Sequence, residues 1–343
     1  MSATPEVRDQ SDSYALLNLI QGAVITQALS VAAKLGVADV LADGPLAVEE
    51  IAKRVGADAK STRRVLRALA GHGVFAVRED GSFENTALSD KLREDAPDTM
   101  RGFAVLMSHP FLHEEWGHLF TAVETGEPNL PKLRGMGALD FFHANPEYAQ
   151  VFFHAFGGLS ESETAPLVEA YDFSQFNTVV DVVAGRGNLL AGILQKAPNV
   201  KGVLYDSEVA TVDSQAYFEA AGVADRFTIE HGGYLDKLPS GGDAYLFKHI
   251  IHDFSEEDAI TALKNAREAM GPEGKLLVME YLLPEGNEHH LGQAIDLWLM
   301  LMLGAQERTL NEYRELFAKA GFTLTRAVPT SAPISIIEAV PTV

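Results

Sequence analysis

The residue best suited to acid–base chemistry is a histidine at the end of a predicted strand. His252 follows the apolar run 244–247, and the carboxyl edge of a parallel sheet is where active sites form. Imidazole exchanges protons near neutral pH, so His252 could accept the proton of a phenolic hydroxyl. A lone histidine is more often a satisfied core residue, but its position at a strand end favours a catalytic role.

Three further histidines raise the question of a metal site. Only His109 and His113 are four residues apart, and neither these two nor His118 has carboxylates at the spacing of a known ligand set. We therefore expect no metal. Contact of His113 or His154 with a substrate is the better interpretation.

A glycine-containing turn follows another predicted strand, 178–183. The turn reads DVVAGRG at 181–187, and such a turn lets a nucleotide-like cofactor approach the backbone and a helix N-terminus. About twenty residues later Asp206 ends the next strand, where a carboxylate can accept hydrogen bonds from ribose hydroxyls. Alone this signal is weak, because the full glycine set is missing.

The second half of the chain supplies the elements that position these residues. Its predicted strands are 178–183, 201–205, 226–230, 244–247 and 275–281, its predicted helices 188–196, 208–221, 256–270 and 309–320, and its tail a predicted antiparallel pair, 323–327 and 334–339. This alternation predicts a mostly parallel sheet covered by helices on both faces.

The first hundred residues predict a small helical module. Apolar spacing predicts one or two helices over 13–40, with a stop at Gly36 followed by a short helix over 37–41. A helix over 48–55 and another capped by Ser61 come next. The Asp80-Gly81 pair between two short apolar runs predicts a hairpin, which completes a winged-helix pattern.

The overall charge decides between DNA binding and a structural role for that module. Arg63, Arg64 and Arg67 lie where a recognition helix would be, but the net charge is 27 − 48 = −21, which repels phosphate backbones and anionic lipids. We expect a dimerising module, no nucleic-acid partner and no membrane partner.

Composition narrows the class of protein further. No run of 18 apolar residues is present, and Met1 to Gln10 lacks the apolar segment of a signal peptide. The absence of cysteine excludes disulfides and thiolate catalysis, so we expect a cytoplasmic protein.

Three stretches of the sequence are similar to a known family. They are VVDVVAGRGNLLAGILQKAPNVKGVLYD, DAYLFKHIIHDFSEEDAITALKNAREAMGPEGKLLVMEYLLP and ERTLNEYRELFAKAGF. The chain resembles, along nearly its whole length, the S-adenosylmethionine-dependent O-methyltransferases of the bacterial antibiotic and plant phenolic type. The resemblance implies an α/β fold, a Rossmann-like, mostly parallel seven-stranded sheet with an N-terminal α-helical winged-helix dimerisation domain, and a homodimer.

The same resemblance assigns roles to individual residues. His252 takes the role of general base, and Glu280 and Glu307 match acidic residues that flank and orient it. The cofactor-binding positions that match the family are Asp181, Gly185, Gly187, Asp206 and Lys248.

Four positions depart from the family pattern around the cofactor. Val183 and Ala184 replace glycines, Ser207 follows Asp206 where leucine is usual, and Gly233 replaces an aspartate that helps hold the adenine. These positions alter three separate parts of the pocket, and if each part loses a contact worth about 1–2 kcal/mol, affinity for S-adenosylmethionine falls by roughly 10² to 10⁴. The resemblance therefore includes a degraded cofactor pocket.

An intact base beside an altered donor site leads to our main functional expectation. We expect an enzyme of secondary-metabolite biosynthesis that needs no cofactor and uses His252 for condensation, cyclisation or rearrangement of an aromatic or quinone substrate. The alternative is an ordinary S-adenosylmethionine-dependent O-methyltransferase acting on a phenolic hydroxyl. A third possibility, a winged-helix regulator, is disfavoured by the acidic charge and the His–Glu set.

Large apolar residues between 100 and 170, and on a later helix, predict a pocket for an aromatic small molecule. Its predicted lining is Phe103, Met107, His113, Trp116, Phe153, Phe156, Asp253, Trp298 and Met302. We expect a dimerisation domain over 1–105, a helical pocket layer over 106–170 and a catalytic domain over 171–343.

Overall fold

The computed structural model describes residues 12–96 and 98–342. The predicted absence of a signal peptide concerned Met1 to Gln10, which lie outside the described residues.

The helices are α1 Asp12–Ile20, α2 Gly22–Leu35, α3 Val37–Val40, α4 Val48–Val55, α5 Ala59–Gly71, α6 Ala87–Asp90, α7 Arg101–Leu106, α8 Pro110–Gly117, α9 Leu119–Thr125, α10 Asn129–Arg134, α11 Ala138–Ala144, α12 Pro146–Ser162, α13 Thr164–Ala170, α14 Asn188–Lys196, α15 Ser214–Ala220, α16 Glu256–Ala269, α17 Leu291–Met302 and α18 Leu310–Lys319. The strands are β1 Phe75–Val77, β2 Phe83–Asn85, β3 Thr178–Val182, β4 Lys201–Asp206, β5 Phe227–His231, β6 Ala244–Lys248, β7 Lys275–Glu280, β8 Leu282–Leu283, β9 Arg308–Thr309, β10 Phe322–Pro329 and β11 Ser335–Pro341.

The chain divides into two compact units. One contains the described part of Met1–Glu114 with Asn145–Leu159, and the other contains Glu115–Ala144 with the described part of Ser160–Val343. The domain boundaries predicted from sequence, 1–105, 106–170 and 171–343, stay a prediction.

The first unit is a small helical layer with a hairpin. Its core packs α2, α4 and α5 against the hairpin β1–β2, through residues such as Ile51, Leu66 and Phe83. The segment 13–40 forms α1 and α2, a stop at Gly36 and the short helix α3, in agreement with the sequence prediction. One detail differs: α5 is capped by Asp58, whose carboxylate accepts from the backbone N–H of Ser61 at 2.8 Å. Ser61 therefore lies inside the first turn of α5, because Asp58, directly before Ala59, is the N-cap that satisfies its free N–H group.

Apolar side chains of α1 and α2 remain exposed in the single chain. Tyr14, Leu19, Ile20 and Val24 are among them. No single described helix is long and apolar enough to cross a membrane, whereas α1 and α2 taken together pass on length and composition, although they are bent by 41°.

The second unit contains the predicted sheet. Its seven strands lie in the order β10-β11-β7-β6-β3-β4-β5, with β3 to β7 parallel and with β10 and β11 antiparallel. The buried strands are almost continuously apolar, as in a sheet covered on both faces. The fold class is therefore confirmed as α/β with a Rossmann-like sheet and a helical N-terminal domain.

The strand order explains why distant residues share one edge of the sheet. β3 lies between β4 and β6, and β7 lies beside β6, so the four carboxyl ends that carry the candidate residues are neighbours. One element is shorter than predicted: α15 begins at Ser214, because residues 208–213 form turns.

Glycine is required at the junction of β3 and α14. Gly187 has φ 91°, and a Cβ there would lie 2.7 Å from Phe218 Cε2 and 2.8 Å from Leu204 Cδ1. Gly185 has φ 58°, but a Cβ there would meet no described atom within 4 Å. Both positions have left-handed backbone, which favours glycine, but only at Gly187 would an added side chain also clash with neighbouring side chains.

This difference gives a matched pair of variants. We expect Gly185→Ala to cost about 1–2 kcal/mol of unfolding free energy for left-handed backbone alone. Gly187→Ala should cost about 1–3 kcal/mol more, because the added methyl group overpacks against Phe218 and Leu204. Urea unfolding of the two variants measures the difference, and equal losses would show that the contact with Phe218 and Leu204 is not restrictive.

Candidate active site

His252 lies in a short turn that the end of β6 positions. A 3₁₀ turn, Ile251–Asp253, follows the strand, and His252 is only 5% exposed. The adjacent parallel strand β7 ends at Glu280, which is completely buried. The pairing of these two strands is therefore enough to place a histidine and a carboxylate next to each other, without contacts from other loops.

Glu307 and Glu280 hold His252 in different ways. Nδ1 of His252 lies 2.8 Å from Glu307 Oε1, a hydrogen bond that fixes the ring. Glu280 Oε1 instead accepts from the backbone N–H groups of His252, at 2.9 Å, and Ile250, at 3.2 Å, while the hydroxyl of Tyr313 donates to Oε2. Glu307 thus orients the imidazole, and Glu280 orients the turn that carries it.

The two carboxylates increase the proton affinity of the histidine. Burial lowers the pKa of His252, but Glu280 and Glu307 outweigh burial and bring it above the usual range. Burial raises the pKa of Glu307, against the lowering by its hydrogen bond to His252. A raised pKa makes the imidazole a stronger base toward a phenol, whose ordinary pKa is about 10. Only the deprotonated ring accepts a proton, so activity should rise with pH toward the pKa of His252.

The other ring nitrogen of His252 has a more open neighbour. Nε2 lies 3.5 Å from Asp253 Oδ1, and the side chain of Asp253 is 42% exposed. With Nδ1 committed to Glu307, Nε2 is the nitrogen left to receive a proton. Asp253 stays a predicted substrate-pocket residue.

The same three side chains are also close enough to bind a metal ion. Ligand atoms of His252, Glu280 and Glu307 lie within 4.8 Å of one another. The oxygens of Glu280 already accept from two N–H groups and a hydroxyl, and Nδ1 of His252 is bonded to Glu307. This is the pattern of an oriented acid–base pair, and the expected absence of a metal stays a prediction.

The glycine loop closes onto the acidic end of β4. The backbone N–H of Gly185 donates to Asp206 Oδ2 at 2.8 Å, and that of Ser207 donates to Oδ1 at 2.6 Å. These bonds hold the carboxylate still while each oxygen keeps a lone pair for another donor. The loop and the carboxylate therefore lie together at one edge of the sheet, and their role in binding a cofactor stays a prediction.

Val183 occupies a backbone conformation that normally favours glycine. Its φ is 56°, which costs an L-residue about 1–2 kcal/mol. Its N–H still donates to the carbonyl oxygen of Tyr205 at 2.7 Å, which keeps it in line with β4. Ala184 accepts from the N–H of Gly187 at 3.0 Å and so closes the turn. The loop thus keeps a glycine-like path at the cost of strain.

Lys248 and Gly233 have partners that the sequence did not indicate. Lys248 Nζ donates to Ser160 O at 2.8 Å and Ser160 Oγ at 2.5 Å, and it lies 3.0 Å from Glu163 Oε2. The N–H of Gly233 donates to Asp236 Oδ2 at 2.8 Å, so a carboxylate lies beside this position after all. Both positions stay predicted parts of the cofactor site.

The predicted pocket residues belong to both compact units. Phe103 and Phe156 make an edge contact within the first unit, with ring centroids 5.9 Å apart, and Met107, His113 and Phe153 belong to the same unit. In the second unit, the ring centroids of Trp116 and Trp298 lie 6.3 Å apart. The same unit contains Asp253 and the buried Met302. The list as a whole stays a prediction.

Sequence analysis missed three residues around Lys248. Glu163, His249 and Tyr281 form a buried polar cluster with it. His249 and Tyr281 each directly follow a strand end, which was the signal available for two of them. Glu163 lies between α12 and α13, where nothing in the local sequence pointed to a site.

The fold and the acid–base set at the sheet edge define a methyltransferase-type enzyme. The chain belongs to the O-methyltransferase family: residues 116–323 match the O-methyltransferase domain, and residues 17–95 match the O-methyltransferase dimerisation domain. The chain is 40% identical, over 96% of both lengths, to phenazine O-methyltransferase PhzM of Lysobacter antibioticus. It is 33% identical to O-demethylpuromycin-O-methyltransferase of Streptomyces alboniger, over 95% of this chain and 88% of that protein.

Solved structures agree with this assignment. The crystal structure of LaPhzM, 40% identical, superposes with a TM-score of 0.87 over 97% of this chain and 100% of that one. CalO1, a methyltransferase in calicheamicin biosynthesis in its SAH-bound form, is 32% identical and has a TM-score of 0.89 over the same shares.

These relatives overturn two expectations from the sequence. The expected S-adenosylmethionine-independent coupling, cyclisation or rearrangement is wrong, and so is the expected lack of a cofactor, because relatives that span nearly the whole chain are named methyltransferases and one was solved with SAH. The physical reason lies in the loop: Val183 adopts the left-handed backbone of a glycine, so replacement of the glycine does not by itself redirect the loop.

Asp181, below the loop, provides a test of the site's electrostatics. It is 2% exposed, and burial raises its pKa from 3.8 to about 7, with Lys248 opposing the rise and Asp206 adding to it. A pKa raised on folding contributes stability that is complete below the unfolded pKa and is lost as pH rises through the folded pKa. We expect wild-type unfolding free energy to fall between about pH 4 and pH 7 by a few kcal/mol more than that of the Asp181→Asn variant, because only the wild type loses the contribution of Asp181.

Urea unfolding across this pH range makes the measurement. Asp225→Asn, at an exposed aspartate of the same unit, is the matched control and should keep the wild-type slope. Parallel wild-type and Asp181→Asn profiles would rule out a neutral buried carboxyl at Asp181.

Proposed function

We propose that this enzyme transfers a methyl group from S-adenosylmethionine to a phenolic hydroxyl of an aromatic small molecule. The observation that carries the proposal is the buried His252–Glu307 pair, with Nδ1 bonded at 2.8 Å and Nε2 left for the substrate. The family membership supplies the reaction class, and the histidine supplies the means of activating a hydroxyl.

The chain's contribution to the chemistry is proton removal. Nε2 of His252 accepts the proton of the hydroxyl, which makes the oxygen a stronger nucleophile. Glu307 stabilises the imidazolium that forms and keeps the ring in one orientation, as a carboxylate does for other catalytic histidines. Glu280 holds the turn through backbone N–H groups, so the base cannot swing away.

The residues at the carboxyl ends of β3 and β4 fit a nucleoside cofactor. Asp206 is held by two backbone N–H groups and keeps lone pairs for a ribose diol, and Gly185 and Gly187 leave the loop free of side chains at two positions. When bound, S-adenosylmethionine supplies an electrophilic methyl group. The altered positions Val183 and Ala184 then reduce the affinity for the cofactor without abolishing its binding.

The substrate class follows from the aromatic lining and from the relatives. Trp298 and Met302 are buried on α17 in the unit that contains His252, and offer flat and adaptable apolar surface. Relatives are named for phenazine, puromycin and mitomycin methylation, and one structure holds 2-hydroxy-5-methyl naphthoic acid. A fused or substituted phenol of antibiotic-type secondary metabolism is the proposed acceptor.

We also propose that the enzyme works as a homodimer. The match to the O-methyltransferase dimerisation domain and the exposed apolar residues of α1, such as Leu19 and Ile20, support this proposal. The winged-helix interpretation of that domain and the cytoplasmic location stay predictions.

Replacement of the base tests the proposed mechanism. We expect His252→Ala to lower kcat at least about a hundredfold, because the hydroxyl loses its proton acceptor, while the Kd for S-adenosylmethionine changes little. Methyl transfer to a panel of phenols gives kcat, and calorimetry gives Kd. His72→Ala, at an exposed histidine of the first unit, is the control, and near-wild-type kcat in His252→Ala would eliminate His252 as the base.

Calorimetric titration with S-adenosylmethionine and S-adenosylhomocysteine tests the cofactor. Binding at micromolar Kd is expected, and no heat of binding up to millimolar ligand would refute the proposed function. The double variant Val183→Gly/Ala184→Gly should bind about tenfold more tightly, because two Cβ atoms leave the loop where the cofactor would lie. An unchanged Kd would show that neither side chain faces the cofactor. A further Gly233→Asp substitution would be harder to interpret, because the added Cβ would lie 3.2 Å from Asp236 Oδ2 and bring two carboxylates together.

A further inference from the structure

A second histidine lies against the base, and the proposed function does not use it. The ring centroids of His249 and His252 are 5.2 Å apart, with an angle of 26° between the planes. His249 also contacts Tyr281, at 4.9 Å between ring centroids. His249 thus covers one face of the imidazole that must accept the proton.

Glu163 holds His249 in this place. Glu163 is 1% exposed, and its Oε2 lies 2.8 Å from Nε2 of His249 and 3.0 Å from Nζ of Lys248. Its Oε1 accepts from the hydroxyl of Tyr281 at 2.7 Å. The carboxylate is therefore a permanent anion that Lys248 already balances.

This balance makes His249 a neutral ring. With Lys248 opposite Glu163, a charge on His249 would be unbalanced and would lie beside His252, and burial lowers the pKa of His249. Nε2 then donates its proton to Glu163, which leaves Nδ1 as a bare nitrogen, buried and without a hydrogen-bond partner among the described residues.

The backbone of His249 shows that this placement is enforced. Its φ is 54°, in the left-handed region, which costs a residue with a side chain about 1–2 kcal/mol. Its N–H donates to the carbonyl oxygen of Met279 at 3.1 Å, so the sharp change of direction at the end of β6 occurs at this residue. Strain of this kind persists only where surrounding contacts determine it, and it gathers at active sites.

We propose that His249, anchored by Glu163, is a positioning residue for the base: it stacks as a neutral ring on His252 and keeps water off that face during methyl transfer. The inference rests on the proposed function, since it acts through His252. A neutral aromatic cover holds the imidazole in the plane in which Nδ1 reaches Glu307, and it keeps Nε2 for the substrate.

Two variants remove the ring without straining the backbone. Asparagine and glycine both tolerate φ near 54°, so His249→Asn and His249→Gly should fold. We expect kcat to fall about tenfold to a hundredfold, because the imidazole is less well held, with KM for S-adenosylmethionine little changed. His249→Phe keeps a neutral ring and should restore most of kcat, although it loses the bond to Glu163.

The pH profile separates positioning from simple structural support. Water that reaches the uncovered face of His252 stabilises its charged form, so in His249→Asn the midpoint on the acid side of the kcat profile should move up by roughly 0.5–1 pH unit, and in His249→Phe it should not move. The titratable and charged groups facing His252 and His249 are Glu280, Glu307, Asp253, Glu163, Lys248 and Tyr281, all unchanged in these variants.

A measurement without substrate keeps this inference separate from the proposed function. NMR of ¹³C-labelled histidine rings, with the His252 signal assigned from His252→Gln, gives its titration midpoint in the free protein. If no phenol is methylated by the wild type, the proposed function fails while this titration still tests the stack. Wild-type kcat and midpoint in the asparagine and glycine variants would overturn the inference, as would a phenylalanine variant that folds and is as impaired as they are.

Discussion

The hydrogen bond between His252 and Glu307 is the interaction on which the chemistry of this protein depends. It joins two buried ionisable groups, and such a pair is stable only when both partners keep further contacts. Glu307 is placed by its backbone N–H, which donates to Asp296 Oδ1 at 2.8 Å, and His252 by the grip of Glu280 on its own N–H. The order of the parallel strands is what brings β6 and β7, and hence His252 and Glu280, together. The position of the base therefore depends directly on the order of the strands in the sheet.

At the carboxyl ends of β3 and β4, a glycine of the family pattern is replaced while the backbone keeps a glycine-like conformation. A valine at φ 56° keeps its bond to Tyr205, and Gly185 keeps its bond to Asp206. The strain at Val183 is of the same size as one weak contact, so the rest of the fold can sustain it. Counting lost glycines overstated the damage, because it treated each missing contact as fully lost and ignored what the neighbouring strands hold in place.

Periodicity was enough to predict the sheet and the strand ends that carry His252, Glu280 and Asp206, and the Asp80-Gly81 pair was enough to predict the hairpin. Local signals failed where a tertiary contact decides. The cap of α5 is Asp58 and not Ser61, the turns at 208–213 replace part of a predicted helix, and Glu163 has no sequence signal of its own. Glu163 becomes visible only when Lys248, His249 and Tyr281 converge on it from two strand ends.

That convergence suggests how a buried charge set can serve a base without touching it. A permanent anion at Glu163 needs one cation, and Lys248 provides it, so His249 beside them can stay neutral. Neutrality matters because a second positive charge 5.2 Å from His252, measured between ring centroids, would oppose the imidazolium that proton transfer creates. Around His252, then, carboxylates favour the charged ring, while the uncharged ring of His249 excludes water. The two effects act on the same proton in opposite directions, and their balance lets the base both take up a proton and give it back.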